Sequence, residues 1–219
     1  MNRIKNYNIV VLSCILFFVF TSCGLDTIMY LEPPHFTRHA DSEQDSEQYI
    51  EFKTSDADNA VAYCTGFQIF YKIYALKSEM TTDVAAINSY NSSTPYSAAR
   101  YLIETKKYQT LKASTQPIVL HTGTTDRTVK VRLYDYSTPP DPNAETAGLY
   151  VGGTRVNVYR ADETNFAKLP NSTEAADIFK TSSTDEYQFV AFFAVTVGLD
   201  EHFTALYSQV VDLGYLILK

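Results

Sequence analysis

Two long segments of the chain have the hydrophobic pattern of β-strands and predict the centre of the fold. In residues 66–76 the side chains alternate, which gives one apolar face for a core and one mixed face for a surface or a second layer. The apolar face consists of Phe67, Ile69, Tyr71 and Ile73, and the mixed face of Gln68, Phe70, Lys72 and Tyr74. Residues 187–198 are apolar on both faces, as is typical of a central strand.

Shorter alternating segments predict the remaining strands. They are residues 49–53, 117–121, 128–136, 154–159 and 205–218. The last of these is expected to bend at Leu213-Gly214. About seven or eight strands with helices in their connections predict a mainly β fold, in which one sandwich domain covers residues 49–219.

Helical signals are concentrated near residues 82–107, within the run of strands. Thr82 precedes a short helix over residues 83–90, and Thr94-Pro95 has the N-cap and first-turn pattern of a second helix that ends near Lys107. Residues 172–180 predict a further helical turn. The helices are therefore expected as short insertions in the sandwich.

The N-terminal segment has the organisation of a secretory signal peptide. Arg3 and Lys5 precede an apolar run at residues 9–20, which is followed by small residues and Cys23. Twelve residues of helix rise only about 18 Å, less than the roughly 30 Å of a hydrocarbon core, so an uncleaved membrane anchor is the less favoured alternative.

Residues 20–23 add a lipid attachment signal to this segment. Phe20-Thr21-Ser22-Cys23 resembles the lipobox of bacterial lipoproteins, and its Phe in place of the usual Leu is similar to the relaxed boxes of spirochaete lipoproteins. The resemblance implies that residues 1–22 are removed and that Cys23 carries the lipid, whose several acyl chains hold the protein on a bacterial membrane. The outer membrane is favoured, with the domain facing the periplasm or the cell surface. Residues 23–48 are then expected to be the lipidated cysteine and a tether.

Charge and cysteine content narrow the functions further. The 219 residues carry a net charge of −7, which would become −9 after loss of residues 1–22 with their two basic side chains. An acidic chain argues against nucleic acid as a partner and leaves the lipid as the membrane contact. Three cysteines exclude a disulfide scaffold, and Cys64 is expected to be a buried thiol without a catalytic role.

One strand and the C-terminal hairpin resemble a known module. Gly66-Phe67-Gln68-Ile69-Phe70-Tyr71-Lys72 resembles the G-Y-x-V-Y-Y-R strand of fibronectin type III-like modules. Residues 189–197, with the return strand to Leu218, resemble their last two strands, and similar blocks occur in spirochaetal lipoproteins of unknown function. The resemblance implies an immunoglobulin-like or fibronectin type III-like sandwich, although the chain lacks the tryptophan of that core.

No motif of catalysis, cofactor binding or metal binding is found in the sequence, so no cofactor and no metal are expected. His35 and His39 have helical i, i+4 spacing, but Pro33-Pro34 disfavours a helix there, and a closed zinc site needs two further ligands. His121 and His202 are expected to be exposed loop residues and not general bases. The acidic pairs Asp185-Glu186 and Asp200-Glu201 are expected in surface turns.

Recognition is expected to depend on a loop or on tyrosines. Three prolines make residues 137–148 an exposed loop, whose candidate contact residues are Thr138, Pro139, Pro140, Asp141, Pro142 and Asn143. Tyrosines on or beside strands can stack on sugars or anchor a partner, or can fill the edges of the core; they are Tyr71, Tyr74, Tyr134, Tyr136, Tyr150 and Tyr159.

The sequence thus predicts a lipid-anchored, non-catalytic protein that is a binding or structural module of the cell envelope. Two alternatives stay open: an envelope glycan hydrolase that uses two of the acids, and a carrier of an apolar ligand.

Overall fold

The computed structural model describes residues 29–38, 48–133, 146–162, 166, 177–179 and 188–218. The strands in this part of the chain are β1 (His35–Arg38), β2 (Ile50–Lys53), β3 (Cys64–Tyr74), β4 (Gln109–Thr110), β5 (Val119–Leu120), β6 (Thr128–Arg132), β7 (Gly148–Val151), β8 (Thr154–Val156), β9 (Ile178–Phe179), β10 (Gln188–Leu199), β11 (Ala205–Tyr207) and β12 (Val211–Leu218). Helix α1 covers Lys77–Ser93. A second helical segment consists of a 3-10 turn (Pro95–Ser97), an α turn (Ala98–Arg100) and a π turn (Tyr101–Thr105).

The strands form two sheets. Sheet 1 is antiparallel and has the order β1-β2-β6-β7-β8. Sheet 2 is built on β10, which pairs antiparallel with β3 on one side and with β11 and β12 on the other. The second edge of β3 pairs with the short strands β4, β5 and β9, of which β9 is parallel. The two longest described strands, both predicted from the sequence, thus lie side by side in sheet 2.

The sheets pack face to face on the main core. This core contains the predicted apolar face of β3 and side chains from both sheets, among them Ile50, Phe52, Phe67, Ile69, Tyr71, Ile73, Val129, Val131, Leu149, Val190, Phe192 and Leu216. All of these are fully shielded from solvent. Burial of large apolar side chains between two antiparallel sheets drives this arrangement, and the prediction of a β-sandwich with short helices is confirmed.

The helices cover the other face of sheet 2. A second core forms there from Phe70 and Tyr74 of β3, from Phe193 and Val195 of β10, and from helical side chains. The helical members are Met80, Ile87, Ala98, Ala99 and Leu102. The mixed face of β3, which the pattern assigned to a surface or a second layer, therefore packs on a helical layer. Helices are present in the predicted region, but the predicted start after Thr82 and the short length of the first helix are wrong. Helix α1 begins at Lys77 and ends at Ser93, because its first turn also packs on sheet 2 through the buried Met80. The second helical segment ends at Thr105, close to the predicted end near Lys107.

The predicted bend in the last strand is confirmed as a β-bulge. Phe192 pairs with Gly214, whereas the next residue, Phe193, pairs with Asp212, so that Leu213 is the extra residue. Gly214 has a φ of 83°, which favours glycine. The predicted strand is also interrupted between Tyr207 and Val211, where the Ser208 hydroxyl accepts a hydrogen bond from the backbone N–H of Thr196 at 2.9 Å.

Gly66, the third residue of β3, lies where two strands come close together. A Cβ atom at this position would lie 2.2 Å from the carbonyl oxygen of Val119 and 2.7 Å from the side chain of Pro117. Its φ of 153° also disfavours other residues. Glycine is required here because β5 approaches the backbone of β3 too closely for a side chain.

Two sequence-based boundaries need correction. Part of the predicted tether belongs to the sandwich, because β1 pairs with β2 and Leu31 and Gln48 are buried. The compact unit begins at Leu31 and not at residue 49. In the predicted helical turn at 172–180, the described residues Ile178 and Phe179 form β9, since the open edge of β3 accepts them through backbone hydrogen bonds at Ile73 and Ala75.

Candidate functional site

A groove lies where the edge of sheet 1 meets the edge of sheet 2. The backbones of Lys112, just after β4, and Tyr159, just after β8, form an isolated bridge with hydrogen bonds of 3.0 and 2.9 Å. Leu111 and Val158, the neighbours of these two residues, are buried in the main core and fix both segments. The groove has a volume of about 630 Å³ and is lined by Lys112, Ala113, Ser114, Arg155, Val156, Asn157 and Tyr159.

The lining combines two cations with polar side chains and one aromatic ring. The Nε and Nη2 atoms of Arg155 donate to the carbonyl oxygen of Ala147 at 2.9 and 2.6 Å, which orients a guanidinium that has further N–H donors. Ser114, Arg155 and Asn157 are exposed, and Tyr159 is half-buried. No carboxylate is present among the described lining residues, so the groove is suited to a hydroxyl-rich or anionic ligand.

At one end of sheet 1, a buried carboxylate joins two loops. Asp56 is completely shielded from solvent and accepts hydrogen bonds from the hydroxyl of Thr54 (2.6 Å) and the N–H of Thr122 (2.9 Å). It also accepts from Nδ1 of His121 (2.9 Å) and from Nε and Nη2 of Arg127 (3.1 and 3.0 Å). We call these five residues the Asp56 network.

The donors decide the charge of Asp56. Burial alone would raise the pKa of this carboxyl, but the hydrogen bonds from Thr54 and Thr122 and the charge of Arg127 outweigh it, and the pKa lies below its ordinary value. Asp56 is therefore an anion whose oxygens are occupied by protein donors. Its role is to hold the loops together, since no acceptor site is left for a substrate.

His121 has a structural partner and no nucleophile beside it. Its imidazole is mostly buried against Asp56, so the expectation of an exposed loop residue is wrong. In the part of the chain that the structure describes, no serine, threonine or cysteine side chain is hydrogen-bonded to it. A His–Asp pair without a nucleophile does not make up a hydrolytic triad.

The other sequence candidates in the described residues are structural or exposed. Cys64 is buried, and burial raises the pKa of its thiol to about 11, which leaves the thiol protonated at neutral pH. His202 lies on the surface beside Glu201 at 3.6 Å. Asp200 accepts hydrogen bonds from the N–H groups of His202 and Thr204, as expected for an acid in a turn. The remaining sequence candidates lie outside the described residues. They are Cys23, His39, Asp185, Glu186, Thr138, Pro139, Pro140, Asp141, Pro142 and Asn143.

Two of the six candidate tyrosines fill the core, as one of the two sequence interpretations expects. Tyr71 is fully buried; its hydroxyl donates to Asp177 at 2.6 Å and accepts from the N–H of Ala161 at 2.7 Å. Asp177 is in turn paired with Arg160 at 2.6 Å. Tyr74 is also buried, and its hydroxyl lies 3.0 Å from Asp83. Tyr134 and Tyr136 lie outside the described residues.

The face of sheet 2 that the helices cover also holds a buried lysine. Nζ of Lys72 lies 3.3 Å from Asp83 and 2.8 Å from the carbonyl oxygen of Lys106. Burial lowers its pKa more than the neighbouring Asp83 raises it. Nζ of Lys106 lies 2.8 Å from the same carboxylate. Asp83 thus joins helix α1 to β3 and to the end of the second helical segment, and this cluster holds the helical layer in place.

The partners of these buried groups could not be predicted from the sequence alone. Asp56 contacts residues up to 71 positions away, and Asp83 contacts Lys106, which is 23 positions away. In the sequence, nothing distinguishes Asp56 and Asp83 from polar residues on the surface. Tyr159 is a candidate from the sequence because it ends the alternating segment 154–159, whereas no pattern marks Lys112 or Arg155.

Comparisons with protein-family models, with curated proteins and with solved structures find no match to this chain. None of the helices formed by the described residues is long and apolar enough to span a bilayer.

Proposed function

We propose that the protein is a lipid-anchored module of a bacterial cell envelope that binds an acidic glycan without catalysing a reaction. The observation that carries the anchor is the residue order of the N-terminal segment: two basic residues, a twelve-residue apolar run and a cysteine after small residues. The acyl chains on Cys23 hold the protein at the membrane, and the sandwich domain faces the periplasm or the cell surface.

The groove supports a glycan as the ligand. Arg155 and Lys112 supply positive charge for carboxylate or phosphate groups, while Ser114 and Asn157 supply donors and acceptors for hydroxyls. The ring of Tyr159 offers a surface on which a sugar can stack. The chain has a net charge of −7, so an anionic ligand should prefer this positive lining to the rest of the surface.

The same lining favours binding over hydrolysis. Glycoside hydrolysis uses two carboxyl groups across the scissile bond, and the described lining of the groove contains none. The apolar-ligand carrier is also less favoured, because the space between the sheets is filled by the side chains of the main core and the groove lining is mostly polar.

A cysteine substitution tests the anchor. Cells that express the Cys23→Ala variant should incorporate no labelled fatty acid into the protein, and the variant should leave the membrane fraction or retain its N-terminal segment. Cys64→Ala is the matched control, because Cys64 is buried in the domain. It should be labelled as the native chain is. Undiminished labelling of Cys23→Ala would refute the anchor.

Groove substitutions test the ligand. An array of acidic envelope glycans and peptidoglycan fragments should retain the native chain, and Arg155→Ala and Tyr159→Ala should each reduce binding by about tenfold or more. Arg100→Ala and Tyr96→Ala are matched controls, since Arg100 and Tyr96 are exposed on the second helical segment. Equal losses from the two pairs, or binding that neither pair alters, would refute the groove as the binding site.

Protease treatment of intact cells locates the domain. Loss of the domain while a periplasmic marker survives would place it on the cell surface, where host or neighbouring-cell glycans are the ligands to test. Protection until the envelope is opened would place it in the periplasm and direct the search to peptidoglycan.

A further inference from the structure

Three side chains of the kinds that bind metal ions meet beside the Asp56 network, although they come from separate parts of the sequence. They are His35 of β1, Asp58 of the loop that follows β2, and Asp126 of the loop that precedes β6. One ligand atom from each lies within 4.8 Å of the others, and Nε2 of His35 is 3.1 Å from Oδ2 of Asp58. We propose that these residues bind a divalent transition-metal ion, with Zn²⁺ as the favoured metal.

The loop of Asp58 is fixed to the segment that leads into β1. Asn59 is buried; its Oδ1 accepts from the N–H of Glu32 and its Nδ2 donates to the carbonyl oxygen of Glu32, both at 2.9 Å. The hydroxyl of Ser55 donates to the same carbonyl oxygen at 3.0 Å. These bonds hold His35 and Asp58 on neighbouring segments and do not involve either side chain.

The loop of Asp126 is fixed to the same place through the Asp56 network. Asp56 joins Thr122 and Arg127 to the loop after β2, and the backbones of Thr54 and Arg127 are joined by a hydrogen bond of 2.9 Å. One oxygen of Asp126 accepts from the N–H of Ala57 at 3.0 Å, which sets the orientation of its carboxylate. The backbone positions of the three ligands are therefore set before a metal binds, as an efficient site requires.

The donor set and the spacing suit zinc. One imidazole and two carboxylates make a site with two negative charges, and Zn²⁺ accepts both nitrogen and oxygen ligands whereas Ca²⁺ prefers oxygen alone. Zinc bonds of about 2.0–2.2 Å would place the ligand atoms about 3.3–3.6 Å apart. The side chains of His35 and Asp58 are half-exposed, so they can close the remaining distance by rotation. Water would complete the coordination.

Zinc titration of the metal-free full chain in detergent tests the proposal. Calorimetry should show one equivalent of bound Zn²⁺, and His35→Ala, Asp58→Asn and Asp126→Asn should each weaken the binding by at least about tenfold. Asp126→Asn retains an oxygen that can accept from Ala57, so it removes the charge with little effect on the loop. The imidazole resonances of His35 should shift in nuclear magnetic resonance spectra on addition of zinc.

Two other histidines provide the decisive controls. His202→Ala removes an exposed histidine beside an acid, and His39→Ala removes the partner of His35 in the i, i+4 pair. Both variants should bind zinc as the native chain does. The proposal is overturned if no zinc binds, if the three ligand variants retain the native affinity, or if binding depends on His39 or His202 instead of the two aspartates.

Discussion

The Asp56 network and the groove contain similar kinds of side chain, but the fold uses them in different ways. In the network, one buried carboxylate accepts hydrogen bonds from two loops, and these bonds occupy both of its oxygens. In the groove, the side chains of Ser114, Arg155 and Asn157 face solvent. The comparison separates polar groups that stabilise the fold from polar groups that are available to a ligand.

Removal of the Asp56 carboxylate should cause the largest loss of stability. Asp56→Ala should lower the free energy of unfolding by about 3–5 kcal/mol, because Arg127, His121 and the N–H of Thr122 lose their acceptor in a buried place. Urea unfolding followed by circular dichroism measures this. In metal-free buffer, Asp58→Ala, which removes a half-exposed acid two positions away, should cost at most about 1 kcal/mol. A difference below about 1 kcal/mol between the two variants would contradict the structural role of Asp56.

Removal of a buried hydroxyl should have the next largest effect. Tyr71→Phe deletes a donor to Asp177 and an acceptor for Ala161, and it should lower the free energy of unfolding by about 1–3 kcal/mol. Tyr159→Phe in the groove is the matched change and should be nearly neutral for stability. Equal losses in the same urea experiment would mean that the groove tyrosine also serves the fold.

Acid should reduce the contribution of Asp56. The pKa of this carboxyl is below its ordinary value of 3.8, so the unfolded chain takes up the proton at a higher pH than the folded protein. The stabilisation is complete well above pH 4 and is lost as the pH falls through the two pKa values, by about 1.4 kcal/mol for each unit between them. Urea unfolding of the native chain and of Asp56→Asn at pH 7, 5 and 3 should show a gap that narrows towards low pH. A difference in stability between the two proteins that is constant or widens in acid would contradict the role of Asp56 as a stabilising anion.

The smallest effects on stability are expected in the groove. Ser114→Ala and Asn157→Ala should each change the free energy of unfolding by less than about 0.5 kcal/mol, because both side chains are exposed. Both should weaken retention by the glycan array. Stability losses above about 1 kcal/mol would mean that these side chains also stabilise the fold.

The fold could be predicted where a strand is long and its pattern is regular. The alternation of β3 and the apolar run of β10 carry enough signal to be recognised alone, and Gly214 marks the bulge of β12. β1 and β9 could not be recognised, because neither short strand has an alternating run of apolar and polar residues and each depends on a partner that offers free backbone groups. That partner is known only when the chain has folded.

The candidate sites could be predicted only in part for the same reason. Tyr159 is the last residue of the predicted strand 154–159 and is a candidate from the pattern alone. The convergence of His35, Asp58 and Asp126 depends on three segments that are 23 and 68 positions apart in the sequence. The sequence disfavours a local metal site at the i, i+4 pair of His35 and His39, and the two acids that meet His35 come from other loops. Spacing within one segment cannot show such a contact.

The most direct test of the lipid anchor is mass spectrometry of the protein extracted with detergent from its native cells. We expect an N-terminal peptide that begins at Cys23 and carries two or three acyl chains. A chain that retains residues 1–22 with an unmodified Cys23, or a mature chain that begins elsewhere without acyl chains, would contradict it.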